Sequence, residues 1–568
     1  MKTKYIVPLL LFCLFACIAC EDETTEMPRL FRPSFIASSC FAESNTITLA
    51  WRTSGEATSY TVELSQDATF QPENLETQTV EKGKCTFANL RYETKFYARV
   101  RANNESLAIT SNWTEMGSSI STLSRTIPKI LYAVEGSQIN ETSVEIKWVV
   151  SEKNPVDGLA IWEEGTTEEK QISLEDASAG QYTITGLTPR TTYYVALTNS
   201  AAPEGAEKYN QQRFTTAGMP ADAVVVEDGD KIKAGMDDTS KQALVFQLKN
   251  GVDYYLTTGG EVAAKTGDIK LTKSIAFLAN PGERPTLYIR EGGFIVKPEV
   301  GNMPNIEYFI VDNVNIKETW TESKPSKGSK TRLLNIGKHN TGTDFTIDRF
   351  EITNSDIVLP STVLMMSDAS EGVTTINHIR IDNCLVSGIN DTKNVTKQFG
   401  FIHAINKGSN VWNDVSVTNS TFYEFYISPG VFGAPTADVP IAAGNKVVIS
   451  NCTFYNWGSN KDGKNTYRAV GNFSKLTAPL NLSVSNCVFG SSKSKVLDAG
   501  SINLNSKSNY CTSDFEKISD AGLTLISLDT DDASLFRNVE ENDFTVVDAE
   551  PVIYKSEYGD PRWIKVLD

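Results

Sequence analysis

Ile449-Ser450-Asn451-Cys452-Thr453-Phe454 recurs, with variations, along the second half of this chain. Aligned on its central position it returns as Val311-Asp312-Asn313-Val314-Asn315-Ile316, Ile347-Asp348-Arg349-Phe350-Glu351-Ile352 and Ile381-Asp382-Asn383-Cys384-Leu385-Val386. Val417-Thr418-Asn419-Ser420-Thr421-Phe422 and Val484-Ser485-Asn486-Cys487-Val488-Phe489 complete the set. The central positions lie 36, 34, 36, 32 and 35 residues apart. A fixed period of that size marks a solenoid. Each copy alternates apolar and polar residues with period two, which is a strand pattern; a helical repeat would place apolar residues at i, i+3 and i+4. The central Asn suits a sharp corner, because Asn tolerates the left-handed backbone conformation. These features define a β-solenoid.

With 568 residues the chain is too long for one core. A formal charge of −17 argues against nucleic acid as a partner. Residues 1–20 read as a signal: Lys2 and Lys4 precede an apolar run, Tyr5 to Ile18, too short to span a bilayer. The run ends in Cys17-Ile18-Ala19-Cys20 and resembles a bacterial lipoprotein signal, with Cys20 as the lipidated residue. The following Cys20-Glu21-Asp22-Glu23 resembles the surface-export signal of lipoproteins in glycan-degrading gut anaerobes, and implies an outer-membrane lipid anchor with the protein facing outward. Residues 21–30 form an acidic tether. Loss of Lys2 and Lys4 takes the mature charge to −19. Cys384, Cys452 and Cys487 share one repeat position and are expected as buried free thiols; Cys40 and Cys85 are close enough in sequence to pair within one small domain.

Two β-sandwiches follow, at 31–124 and 126–217. Thr46-Ile47-Thr48-Leu49-Ala50-Trp51 in the first corresponds to Val144-Glu145-Ile146-Lys147-Trp148 in the second. Leu90-Arg91-Tyr92-Glu93-Thr94-Lys95-Phe96 corresponds to Leu187-Thr188-Pro189-Arg190-Thr191-Thr192-Tyr193, 97 residues on. The latter resembles fibronectin type III domains, whose Tyr makes a corner hydrogen bond; Phe96 departs from that pattern. Both modules are expected to be spacers.

Residues 218–568 resemble a right-handed parallel β-helix of the pectate-lyase type with a C-terminal cap, the cap formed by Asn542–Val546 and Gly559-Asp560-Pro561-Arg562-Trp563. The fold class is all-β. The order of anchor, fibronectin modules, β-helix and Gly-Asp-Pro-Arg-Trp tail resembles lipoproteins of polysaccharide-utilisation systems whose helices are classed as domains of unknown function 4957 and 5123. A third strand per coil is expected at Leu333–Ile336, Val363–Met366, Phe401–Ile405, Pro440–Ala443, Ala469–Phe473 and Val496–Ala499. The long connections 388–400, 424–439 and 456–468 lead towards it, and such loops are usually functional. The resemblance implies that they wall a groove for uronic-acid chains.

From Arg380 to Lys475 there are nine Lys/Arg against six Asp/Glu, a local +3 in an acidic chain. Trp412, Trp457 and Tyr467 offer rings to sugar faces, while Lys461, Lys464 and the neighbouring cations, with His403, offer partners for carboxylates. A second constellation is a column of Asp312, Asp348 and Asp382, which would either hold Ca²⁺ or be neutralised by Arg349 and Arg380. The sequence supports a surface glycan-binding protein taking an acidic, pectin-like polysaccharide alongside other surface glycan-uptake proteins. A polysaccharide lyase using Lys397, Lys407 or Arg468 as base stands as the alternative, and a structural or adhesive surface protein as a third. The spellings Trp-x-Asp-His and Arg-x-Pro-x-x-Arg of the main pectate lyases, and Asn-Thr-Asp and Arg-Ile-Lys of polygalacturonases, are absent.

Overall fold

The computed structural model describes residues 29–567 except 257–266, 291, 299–303, 319–331, 338–343, 360–362, 369–372, 389–398, 406–408, 425–429, 434–445, 458–467, 475–479, 518–522 and 550. The chain divides into two compact units, 1–125 with 201–207, and 126–200 with 208–568. The first holds the first sandwich. The second holds both the second sandwich and the parallel coils.

In the first unit a four-stranded antiparallel sheet containing Thr46–Arg52 faces a six-stranded one containing Ser59–Ser65 and Lys95–Asn104. Strand alternation sends Ile47, Leu49 and Trp51 inward onto Tyr60, Val62 and Val100, and Trp51 lies 5.5 Å from Tyr60. Cys40 and Cys85 are free thiols, and burial first, then Cys40, pushes the Cys85 thiol up to about 12. In the second sandwich the backbone N–H of Thr188 donates to Tyr193 Oη at 3.1 Å, the corner bond that the Leu-x-Pro-x-Thr-x-Tyr spelling implies.

Among the described residues the coils form three parallel sheets of ten, ten and nine strands. One, the long-strand sheet, runs from Val224–Val226 to Ile502–Lys507 and includes Val373–Asp382 and Ser409–Thr418. The short-strand sheet follows each corner, as in Thr421–Tyr423 and Thr453–Tyr455. The third sheet includes Arg332–Ile336, Val363–Asp368, Ile402–Ile405, Phe432–Gly433, Arg468–Asn472 and Lys493–Asp498. Identical inward positions stack: Phe422, Phe454 and Phe489 lie 5.1 and 5.0 Å apart with planes within 10°, the offset geometry aromatic pairs favour. Cys384, Cys452 and Cys487 are fully buried free thiols.

Corner residues Asn313, Asn383, Asn419, Asn451 and Asn486 have φ between 49° and 58°. One expected copy is displaced. The corner of the second coil is Asn354 (φ 52°), not Arg349, so the steps there are 41 and 29 residues rather than 36 and 34. Both Ile347 and Ile352 point inward along the nine-residue strand Phe345–Thr353, so the apolar alternation alone did not distinguish the two registers. Two further expectations change. The strand after Ile402–Ile405 in the third sheet is Phe432–Gly433, while Pro440–Ala443 lies outside the described residues. The Gly559–Trp563 tail lies along the side of the stack. Asp560 accepts from Thr421 Oγ1 (2.7 Å), Trp563 Nε1 donates to the same hydroxyl (2.7 Å), and Gly559 N donates to Asn486 O (2.8 Å). Arg562 reaches Asn383 Oδ1 at 3.0 Å. A Cβ on Gly559 would stand 2.9 Å from Thr453 Oγ1, so only glycine fits this approach. The tail is a lateral clasp on the corners.

Candidate functional site

The third sheet is where the expected groove residues converge. Its register aligns one position per coil, running Asn335, Met366, His403, Gly433, Asn472 and Asp498, of which Met366 and Gly433 are buried. Stacked strands place successive positions about 4.8 Å apart.

Three side chains at one end of this row form an ion cluster. Arg468 pairs with Asp498, and Lys495 Nζ meets the other carboxylate oxygen at 2.8 Å. Burial pushes the Asp498 carboxyl up, but the bonds from Lys495 and Arg468 outweigh it and hold the carboxyl below the ordinary aspartate range. Towards the other end, Arg332 Nη1 donates to Asn335 Oδ1 at 2.9 Å.

His403 stands between them. The Gly400 backbone N–H donates to its Nδ1 at 3.1 Å, and Phe399 meets the ring edge-on at 4.9 Å. Gly433 on the next coil makes the space: a Cβ there would come 1.9 Å from Nδ1. Burial, aided by the Arg332 charge, pushes the imidazole down to about 4. The ring is neutral at physiological pH, and an accepting Nδ1 places the proton on Nε2. His403 is therefore a fixed hydrogen-bond donor.

The expected aromatic platforms belong to the core. Trp457 is fully buried among Phe454, Phe489 and Phe515, and its Nε1 donates to Lys495 O at 3.3 Å. Trp412 is buried, 6.2 Å from Phe432. Both occupy inward positions of the coil, so neither offers a face to a sugar. Lys397, Lys407, Lys461, Lys464, Tyr467 and Cys20 lie outside the described residues.

The acidic column does not form as expected. The long-strand register runs Asp312, Thr353, Asp382, Thr418, and Asp348 stands apart, accepting from Asn377 at 3.1 Å. Asp382 is 1% exposed and is met by Arg213 of the second sandwich at 2.9 Å and by Arg380 at 3.0 Å. Thr418 Oγ1 and Asn419 Nδ2 donate to its other oxygen at 2.7 and 2.8 Å. Burial would raise its carboxyl, but Arg213 and then Arg380 pull it below the usual range. Glu164 binds the same two arginines, at 2.8 Å each. Every ligand position of Asp382 is filled by cations and donors, so Asp348 and Asp382 do not fit a Ca²⁺ site. Among the described residues no three His, Cys, Asp or Glu converge on one point.

Sequence reading missed Lys495, Arg332 and Arg213. Lys495 and Asp498 are visible as neighbours in sequence, but their pairing with Arg468 follows only from coil register. Arg213 has no sequence signal linking it to Asp382, 169 residues away.

Residues 447–563 match the family described as Domain of unknown function (DUF5123). No curated protein matches the chain. Among solved structures the chain is similar to the FN1–FN3 domains of chicken CNTN1, at 15% identity over 34% of this chain and 69% of that one, with a TM-score of 0.15. It is also similar to a two-domain fibronectin type III segment of chicken tenascin, at 16% identity over 33% and 100%, with a TM-score of 0.18. Scores that low add nothing to the strand pairing of the sandwiches. The last coils and the clasp are a DUF5123-like domain.

Proposed function

We propose that this is a surface-tethered glycan-binding lipoprotein whose third-sheet face takes an acidic, pectin-like polysaccharide. The reading extends the resemblance to pectate-lyase-type helices from fold to ligand. One observation carries it: Arg332 and Asn335, then His403, then Arg468 with Lys495 and Asp498, place donors and cations on alternate strands along one rigid sheet. A linear polymer with its own repeat is the ligand such a ladder suits, and carboxylates are the groups that Arg and Lys select. The lipid anchor at Cys20, the outer-membrane location and neighbouring glycan-uptake proteins belong to the same proposal.

The lyase alternative draws less support. A β-elimination needs a base able to accept the sugar-ring proton, whereas His403 carries its proton on Nε2 and Arg468 is paired with Asp498. The test uses the full mature chain with a panel of uronic polysaccharides, with Ca²⁺ and with chelator. Retardation in a gel containing one of them, weakened by Arg468→Ala and by His403→Ala, with no unsaturated product, is the expected result. Unsaturated product lost on Arg468→Ala, Lys397→Ala or Lys407→Ala establishes the lyase instead. Neither retardation nor product from any uronic glycan removes both readings and leaves an adhesive role.

A further inference from the structure

The long-strand sheet changes character along its length. Its outward positions on the earlier coils, Val245, Ala276, Leu278 and Ile310, are apolar, and Asp312 and Asp382 beside them pair with arginines of the second sandwich. From Ser409 onward two adjacent rows of outward positions become mostly short and uncharged. One row runs Thr418, Ser450, Ser485, and the next runs Ser416, Val448, Ser483, Asn505. All are partly or fully exposed. The one acid on the flanking row, Asp414, is paired with Lys446 at 3.5 Å. In a chain carrying −17, these two rows hold no charged side chain before Lys507 at the end of the first.

Beside it stands an aromatic pair. Trp162 and Tyr194 are neighbours across two strands of the second sandwich, stacked 5.7 Å apart with planes 14° from parallel, and both are half-buried. Lys208 lies 5.1 Å from the Trp162 ring. A continuous set of contacts joins the pair to the first row: Tyr194 Oη to Glu164 at 3.4 Å, Glu164 to Arg380 at 2.8 Å, Arg380 to Asp382 at 3.0 Å, and Thr418 to Asp382 at 2.7 Å.

We propose that this face, with the Trp162–Tyr194 pair at its border, is a second docking surface, and that its occupant is an uncharged polysaccharide chain. Hydroxyls both donate and accept, so rows of Ser and Thr match a ligand whose own surface is hydroxyls. Short side chains have little rotamer freedom to lose on contact. The two rows carry no charge short of Lys507, so no ion is stripped of water when a neutral chain settles on them. The indole and phenol rings supply the flat apolar contact that sugar rings take on their C–H faces. A polyanion finds no cation on these rows except Lys446, already paired, and Lys507 at the rim.

The test measures binding of the full mature chain to uncharged polymers (arabinan, galactan, xyloglucan, dextran) and, separately, to polygalacturonate. Ser450→Gln with Ser485→Gln raises two neutral side chains out of the flat face, and Trp162→Ala removes the ring. Retention of at least one uncharged polymer, weakened about tenfold or more by either variant, with polygalacturonate binding unchanged, is expected. Polygalacturonate binding that Arg468→Ala leaves unchanged strikes the third-sheet reading and leaves this one intact. Failure to bind every uncharged polymer overturns the proposal, as does binding that neither variant weakens. A fall in sedimentation coefficient in the Gln variant also overturns it, because the face is then a contact between copies of the chain.

Discussion

Arg213→Met tests whether the ion cluster at Asp382 fixes the second sandwich to the coils. Arg213 lies 2.9 Å from Asp382 and 2.8 Å from Glu164, and Asp382 is 1% exposed. Removing one partner of a buried pair costs about 3–5 kcal/mol, because a charge is left uncompensated. Arg380 still touches both carboxylates, which places the expected loss at the lower end, about 3 kcal/mol. The hydrophobic stem of Met retains part of the arginine's packing, so the loss reports chiefly on charge. Hydrogen exchange of peptides spanning 205–220 and 376–384, with urea unfolding of the whole chain, reads the loss. Coupling to Asp382→Asn in a double-mutant cycle is expected to exceed about 1 kcal/mol. The pH response has a fixed sign. Asp382 and Glu164 are held below their ordinary values, so their contribution is present above the unfolded carboxylate range and is lost as pH falls through the lowered folded values. With Arg213 gone, loosening begins at a higher pH. A loss under about 1 kcal/mol with no coupling would refute the cluster as the fastening.

Asp560 is expected to titrate the opposite way. Full burial, only partly offset by Arg562 and Thr421, pushes it up to about 6. Its contribution is present below the unfolded value of 3.8 and is lost as pH rises through about 6. Melting temperature should fall over that window in the native chain, and Asp560→Asn should flatten the slope; an unchanged slope rejects the assignment. Gly433→Ala must displace the His403 ring, at a cost of about 1–3 kcal/mol. Imidazole NMR should then show the titration moving up from about 4; an unmoved titration means that Gly433 does not seat the ring. Trp457→Ala, in a fully buried site, should cost about 3–5 kcal/mol in urea unfolding. A near-neutral result would return Trp457 to the surface as a sugar platform.

Repetition made the fold legible. Five Asn corners and alternating strands are local signals, and the corner conformation that suits Asn is the one found at Asn313, Asn383, Asn419, Asn451 and Asn486. The slip at Arg349 shows the limit of alternation, since Ile347 and Ile352 both satisfy an inward position. The site was less legible because inward and outward depend on strand phase. Trp457 follows the corner closely enough to look like a loop residue, yet its ring closes the core. His403 was named from its strand, but what fixes its proton comes from Gly400 and from Gly433 a coil away. The Asp382 cluster draws on two domains, and no local pattern announces such a meeting.

The lateral clasp has a consequence for biosynthesis. Trp563 and Asp560 bind Thr421 across 142 and 139 positions of sequence, and Arg562 reaches back 179 to Asn383. Coils already formed therefore wait on Gly559–Trp563 to be translated before their corners are fastened. A polypeptide stopped before Gly559 would carry every described coil strand and still lack the fastener. Its corner hydroxyls and Asn groups would lie open to water and to proteases. Residues 559–563 thus govern the durability of corners formed up to 179 positions earlier.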